Sequence, residues 1–217
     1  MRRPLRIVML GKQGAGKGTQ CARLAKDNGI AHISTGDMLR VAVKEGTAFG
    51  QLAGEYMEAG ELVPDYVVLG VVQERISQPD ALESGFVLDG FPRNLSQAEA
   101  LDEFLAPEGI KLVINLDVST EVVLDRLSSR RVCTECGHIY SVYAPPKVDW
   151  TCDICGGHVE QRADDTAEAI SRRLAIYEEV TAPLIAWYEA KGRLVTVAGE
   201  GDFESIATDI AKALERA

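Results

Sequence analysis

Nine residues near the start of the chain, Gly11-Lys-Gln-Gly-Ala-Gly-Lys-Gly-Thr19, combine four glycines, two lysines and a terminal hydroxyl in one short loop. Such a loop can turn tightly and aim its backbone N–H groups inward, while Lys17 supplies a point charge for the outer phosphates of a nucleotide. The stretch from Thr19 to Lys26 is helical in character, so a helix N-terminus adds its positive end to the same anion. Gly18 takes the position usually held by the hydroxyl of a Walker A loop, and Thr19 follows it; the hydroxyl on the Mg²⁺ side is displaced by one residue. The competing reading is an ordinary glycine-rich strand-to-helix turn. The apolar run Leu5–Leu10 ahead of the loop and the register of Lys17 argue against it.

A second constellation is Cys133-Thr-Glu-Cys136 with Cys152-Asp-Ile-Cys155, two CxxC knuckles each followed by glycine. Four thiolates at this spacing predict a tetrahedral Zn²⁺ site with no open position for a catalytic water, hence a structural site. Two disulfides or idle thiols are the alternative. His138 and His158 lie close to the knuckles but read as surface residues when four sulfurs are available.

Arginines form the third constellation. Phosphoryl transfer spreads charge over the moving group, so it needs positioned cations more than a covalent nucleophile. Arg40, Arg93, Arg126, Arg130, Arg131, Arg162, Arg172 and Arg173 fall at loops or beside the cysteine segment. Arg2, Arg23, Arg75, Arg193 and Arg216 read as solvated or ion-paired. Asp89 ends an apolar run, from which a carboxylate can hold Mg²⁺ or its waters beside a phosphate loop; as a plain strand-end residue it would only precede the turn at Gly90. Thr35-Gly-Asp37 reads minimally as a helix N-cap.

Positioning these groups requires a scaffold. Short apolar runs at Leu5–Leu10, His32–Ser34, Phe86–Asp89, Leu112–Leu116 and Leu194–Val197 predict buried strands. Apolar residues at helical spacing fill 67–76, 95–105, 120–130, 166–190 and 203–214. This alternation predicts an α/β fold with a five-stranded parallel sheet covered on both faces. Residues 35–63 carry five glycines among helical stretches and read as a small helical appendage; residues 131–162, with Pro145-Pro146 and both knuckles, read as a β-rich insert. An insert of about thirty residues cannot fold on its own core, and metal binding can supply that free energy.

At 217 residues and 46% hydrophobic composition the chain can bury a substantial core. Lys plus Arg (23) less Asp plus Glu (33) leaves a net charge of −10, which argues against nucleic acid or an anionic membrane as partner. The run after Arg2 and Arg3 is too short for a secretory signal and is broken by Lys12, and the cysteine usage suits a reducing compartment, so a cytoplasmic location is expected.

The segments Gly14-Ala-Gly-Lys-Gly-Thr-Gln20, His32-Ile-Ser-Thr-Gly-Asp-Met-Leu-Arg40, Phe86-Val-Leu-Asp-Gly-Phe-Pro-Arg93, Gln161-Arg-Ala-Asp-Asp165 and Thr181-Ala-Pro-Leu-Ile185 together resemble the adenylate kinases, in the long form with a zinc-bearing lid. The resemblance runs over nearly the whole chain in order. It implies a P-loop NTPase-type core (1–34, 64–130 and 164–217), a subdomain for the nucleoside monophosphate (35–63) and a zinc-binding lid (131–163). It further implies that Gly14, Ala15, Gly16, Lys17, Gly18, Thr19, Arg126, Arg130 and Gly199 bind ATP. Thr35, Arg40, Leu62, Val63, Gly90, Arg93, Gln97, Arg162 and Arg173 are implied to bind AMP, with Gln97 reading the adenine edge. Lys17, Arg93, Arg130, Arg162 and Arg173 then stabilise the transferring phosphoryl, Thr19 and Asp89 attend Mg²⁺, and Cys133, Cys136, Cys152 and Cys155 hold Zn²⁺. Asp164 and Asp165 match carboxylates that organise the arginines.

The implied reaction is ATP + AMP ⇌ 2 ADP in a monomer, by in-line transfer under a closing lid. The chain departs from the family at Lys12-Gln13, where a small residue and then proline normally sit; losing the proline loosens the free loop. Two other readings compete. A kinase for another nucleoside monophosphate would share the core, and a zinc-ribbon nucleic-acid binder would need no intact acceptor site.

Overall fold

A computed structural model describes residues 4–215; Arg2, Arg3 and Arg216, and the outermost residues of the expected core, lie outside them. In chain order the elements are β1 (Leu5–Leu10), α1 (Lys17–Asn28), β2 (Ala31–Ser34), α2 (Thr35–Lys44), α3 (Ala48–Ala59), α4 (Asp65–Ile76), α5 (Pro79–Ser84), β3 (Gly85–Asp89), α6 (Leu95–Phe104) and β4 (Leu112–Asp117). They continue as α7 (Thr120–Ser129), β5 (Arg130–Cys133), β6 (Ile139–Ser141), β7 (Val159–Glu160), α8 (Ala167–Ile176), a π-helical turn (Tyr177–Thr181), α9 (Pro183–Ala190), β8 (Leu194–Ala198) and α10 (Phe203–Leu214).

Five strands form one parallel sheet in the order β2-β3-β1-β4-β8. Its strands are apolar on both faces because helices cover both. Ile7 and Met9 of β1 pack with Cys21 and Leu24 of α1 and with residues of α7, α8 and α10, whereas Val8 and Leu10 pack with α4, α6 and α9. The chain steps from β1 outward to β2 and β3 on one side, then returns past β1 to β4 and β8 on the other. The loops that leave the carboxyl ends of β1, β2 and β3 therefore converge at the point where the strand order reverses, the usual place for a ligand in an open α/β sheet.

The expected β-rich insert is a second sheet, antiparallel, in the order β6-β5-β7. Its core is minimal: Cys133, Tyr140, Cys152 and Val159, with Trp150 against them.

Two expectations need correction. The apolar pattern over 166–190 is two helices joined by a π turn, not one continuous helix. Pro183 has no N–H to donate back along the helix, and the chain widens instead, with Ala182 N donating to Tyr177 O at 2.8 Å. The short helix α5, which begins at Pro79, has too few residues to show a period and was not anticipated.

Candidate active site

The loop between β1 and α1 is shaped by its glycines. Gly14 (φ 83°) and Gly16 (φ 98°) take left-handed conformations, and a Cβ on Gly14 would lie 2.8 Å from Leu127 Cγ. α1 begins at Lys17, two residues earlier than the sequence suggests, so the lysine sits at the helix N-terminus itself. Lys17 Nζ donates to the carbonyls of Gly11 (2.7 Å) and Lys12 (2.8 Å). Burial holds its pKa below the ordinary lysine value, opposed by Asp89 and reinforced by Arg93 and Arg130. Asp89 Oδ2 approaches the loop closely enough that a Cβ on Gly18 would be 3.3 Å away. A hard oxygen donor in that place suits a divalent cation carried in with a triphosphate.

Beside the loop, the ends of β2 and β3 build a second corner. Thr35 is buried and its hydroxyl lies 2.9 Å from Gly90 O and 3.2 Å from Asp89 O. Arg93 Nε donates to Gly90 O at 2.8 Å, and Arg93 N donates to Gln97 Oε1 at 2.7 Å. Gln97 Nε2 donates in turn to Asp65 Oδ1 at 2.6 Å, and Asn94, the N-cap of α6, donates to the same carboxylate. Gln97 is thus held in a fixed orientation with one N–H and one lone pair to spare. Arg40 reaches back to Asp37 at 2.5 Å.

The arginines gather where the three-stranded sheet leaves and rejoins the core. Asp165 has no exposed side-chain surface; it accepts from Arg130 Nε (2.8 Å) and Nη2 (2.5 Å) and from Arg173 Nη2 (3.1 Å). Arg173 also pairs with Asp164 at 3.1 Å. Arg162 differs: its Nε is buried without a partner, and no carboxylate among the described residues lies within ion-pair distance. Burial first, and then Arg40 and Arg130, lower its pKa to about 10. Arg93 is likewise pushed down by burial. A cavity with this excess of compressed positive charge is built for a polyanion.

All three groups open into one cavity of about 520 Å³. It is lined by Gly14 to Thr19, Thr35, Arg40, Leu62, Val63, Asp89, Gly90, Arg93, Gln97, Arg126, Arg130, Arg162 and Arg173. Gly199 alone among the expected nucleotide residues does not line it. It stands behind Arg126, whose guanidinium donates to Ala15 O and Gly199 O, both at 3.1 Å. A Cβ at Gly199 would be 2.5 Å from Val118 Cγ2, so glycine is needed there for packing.

The family profile for adenylate kinase matches residues 9–193. The chain belongs to the adenylate kinase family. Relatives named adenylate kinase agree along almost their entire lengths. That of Nitrosococcus oceani is 50% identical, covering 98% of this chain and all of its own. That of Archaeoglobus fulgidus is 51% identical over 98% of this chain and 99% of its own, and that of Streptomyces avermitilis 48% identical over 98% of each.

The four cysteines of the three-stranded insert come together as free thiols. Cys133 Sγ lies 3.4 Å from Cys155 Sγ, Cys136 Sγ lies 3.6 Å from Cys152 Sγ, and all four sulfurs fall within 4.8 Å of one another. These separations exceed a disulfide bond and approach the edges of a tetrahedron with metal–sulfur bonds of about 2.3 Å. Tyr140 Oη (3.5 Å) and Ile154 N (3.4 Å) point hydrogens at Cys152 Sγ, as groups around a thiolate ligand do. His138 and His158 are not in the cluster. Cys21, by contrast, is fully buried in α1, and burial pushes its thiol well up. Among the described residues no helix is long and apolar enough to cross a membrane.

Sequence reasoning missed Asp65 and Asn94, which fix Gln97, and Tyr177 and Thr181 of the π turn, which line the cavity. Thr181 Oγ1 donates to Arg93 O at 2.8 Å. Local spacing carries no signal for contacts that span 29 to 88 residues.

Proposed function

We propose that the cavity holds ATP and AMP end to end and transfers the terminal phosphoryl group between them, ATP + AMP ⇌ 2 ADP, the reaction of the family. The observation that carries the assignment of roles is Arg162, whose Nε is buried without a hydrogen-bond partner, beside Arg130 and Arg173, which are already paired with Asp164 and Asp165. Gly14 to Thr19 and Arg126 receive the ATP phosphates. Lys17 holds the transferring group; Arg93 and Arg40 hold the AMP phosphate; Arg130 and Arg173, anchored on Asp165, flank the transfer path with Arg162. Leu62 and Val63 offer the AMP base an apolar wall, and the spare N–H and lone pair of Gln97 meet its polar edge. The AMP phosphate is ionised at neutral pH, so positioning and charge stabilisation suffice and no general base is needed.

Mg²⁺ entering with ATP would be met by Asp89 and Thr19 and would neutralise charge on the phosphates. The four cysteines would hold Zn²⁺, which supplies folding free energy to the lid. Segments 35–63 and 131–163 act as covers over acceptor and donor, excluding the water that would otherwise hydrolyse ATP.

The test is the initial rate of phosphoryl transfer from MgATP to AMP beside GMP, CMP, UMP and water. Transfer that demands AMP, with negligible hydrolysis, is expected. Faster transfer to another monophosphate would overturn the acceptor roles of Thr35 and Gln97.

A further inference from the structure

Lys12 is the one residue between Leu10 and Gln20 that does not line the cavity. Its side chain runs out behind the phosphate loop, where Nζ donates to Thr120 Oγ1 at 3.0 Å and pairs with Glu178 at 3.2 Å. Thr120 opens α7, the helix that carries Arg126, and Glu178 belongs to the π turn, whose Thr181 is bonded to Arg93 O. The backbone of Lys12 faces the opposite way. Its carbonyl accepts from Lys17 Nζ at 2.8 Å and from Ala15 N at 3.1 Å.

From this geometry we infer that Lys12 is a positioning residue for phosphoryl transfer: its side chain pins the loop from behind, so that its carbonyl holds Lys17 Nζ in register with the transferring phosphate. The inference rests on the role given to Lys17 above. Gln13 leaves the loop free to rotate about its own φ, where a proline ring would fix that angle; the anchoring of Lys12 restores the lost restraint from the neighbouring residue. The Glu178 side chain is 58% exposed, so that ion pair alone contributes little. Thr120 is the inner partner. Together they give Nζ two acceptors and fix a long side chain that is itself only 18% exposed. A lysine placed for direct phosphate binding would instead project into the cavity, as Lys17 does.

The experiment compares wild type with Lys12→Met, with Lys12→Arg, with Thr120→Val/Glu178→Ala and with the triple variant Lys12→Met/Thr120→Val/Glu178→Ala. For each, kcat, KM for ATP, KM for AMP and the unfolding temperature are measured. Misplacing a transition-state contact lowers kcat and leaves ground-state binding, so Lys12→Met is expected to lose about tenfold in kcat with KM for ATP within about twofold. The Thr120→Val/Glu178→Ala enzyme, which keeps Lys12 but removes both anchors, should lose about the same, and the triple variant no more. Lys12→Arg, able to reach both acceptors, should stay within about threefold of wild type. Unchanged kcat in either Lys12→Met or the anchor variant overturns the inference, as does a rise in KM for ATP at constant kcat, which would mark Lys12 as a ground-state phosphate ligand. Should Lys12→Met fail to fold, the anchor variant decides the matter. A wild-type enzyme that does not use AMP would instead overturn the functional reading before any variant is compared.

Discussion

Asp165 and Arg130 form a bidentate pair, Oδ1 to Nη2 at 2.5 Å and Oδ2 to Nε at 2.8 Å, with the carboxylate wholly enclosed. The pair joins the end of β5's first residue to the segment that re-enters the core before α8. Removing one partner leaves an uncompensated buried charge, which costs about 3–5 kcal/mol. Asp165→Ala should therefore lower the unfolding temperature by about 6–20 °C, given about 2–4 °C per kcal/mol for a chain of this size.

The same carboxylate fixes an acid limit. Burial alone would raise its pKa, but the hydrogen bond and charge of Arg130 and then the charge of Arg173 outweigh burial and hold it below the ordinary value. A depressed folded pKa means the stabilisation is complete above the unfolded value of about 3.9 and disappears as pH falls through the lower folded value. Thermal scans of Asp165→Asn should show a shallower loss of stability below about pH 4 than wild type. Superimposable acid profiles would contradict this assignment.

Unlike Arg130 and Arg173, Arg162 meets no carboxylate within ion-pair distance among the described residues, and its Nε is buried without a partner. Its removal should cost ~10³ in kcat, as loss of a well-placed arginine does in phosphoryl transfer. Burial and the neighbouring cations Arg40 and Arg130 disfavour its charged form in the free protein, and an incoming phosphate relieves that cost. Steady-state kinetics of Arg162→Met checks the expected loss.

Gly90 sits at φ 79°, and a Cβ there would lie 2.9 Å from Thr35 Oγ1 and 3.3 Å from Arg93 Nη2. Gly90→Ala should strain the turn and displace both acceptor groups. KM for AMP is expected to rise by about tenfold or more, with a much smaller change in KM for ATP. Steady-state kinetics with each nucleotide varied in turn separates the two.

Cys133→Ser removes one of the four sulfurs of a cluster apart from the phosphate loop. The lid's own core is four residues and a tryptophan, too small to hold the sheet alone. The unfolding temperature should fall markedly while kcat of the folded enzyme stays within a few-fold, and stripping metal from wild type with a chelator should reproduce the shift. Turnover that collapses at an unchanged unfolding temperature would refute a purely structural role.

Much of this molecule is legible in its sequence because the strands of a doubly covered sheet are apolar runs, and because a phosphate loop and paired CxxC knuckles are local. Gly14 to Thr19, Asp89 and the four cysteines could be found from spacing alone. Arg162 and Arg173 could not be ranked above other arginines without the resemblance, since what distinguishes them is which carboxylates each one meets after folding. Asp65 was invisible for the same reason: an acidic residue at the start of a helix looks like ordinary capping until Gln97 arrives from 32 residues away. The π turn escaped because its apolar residues keep a helix-like spacing, and only Pro183 hints at a break.

Lys44, at the end of α2, donates towards Thr134 O and Glu135 Oε2 in the first cysteine knuckle, at 3.5 and 3.4 Å. On the proposed reading of segments 35–63 and 131–163 as covers over acceptor and donor, this contact ties the two together at one edge. Opening of one cover then disturbs the other, so arrival of the two nucleotides and departure of the two products are expected to share a conformational step with a clock of its own, separate from the chemistry inside.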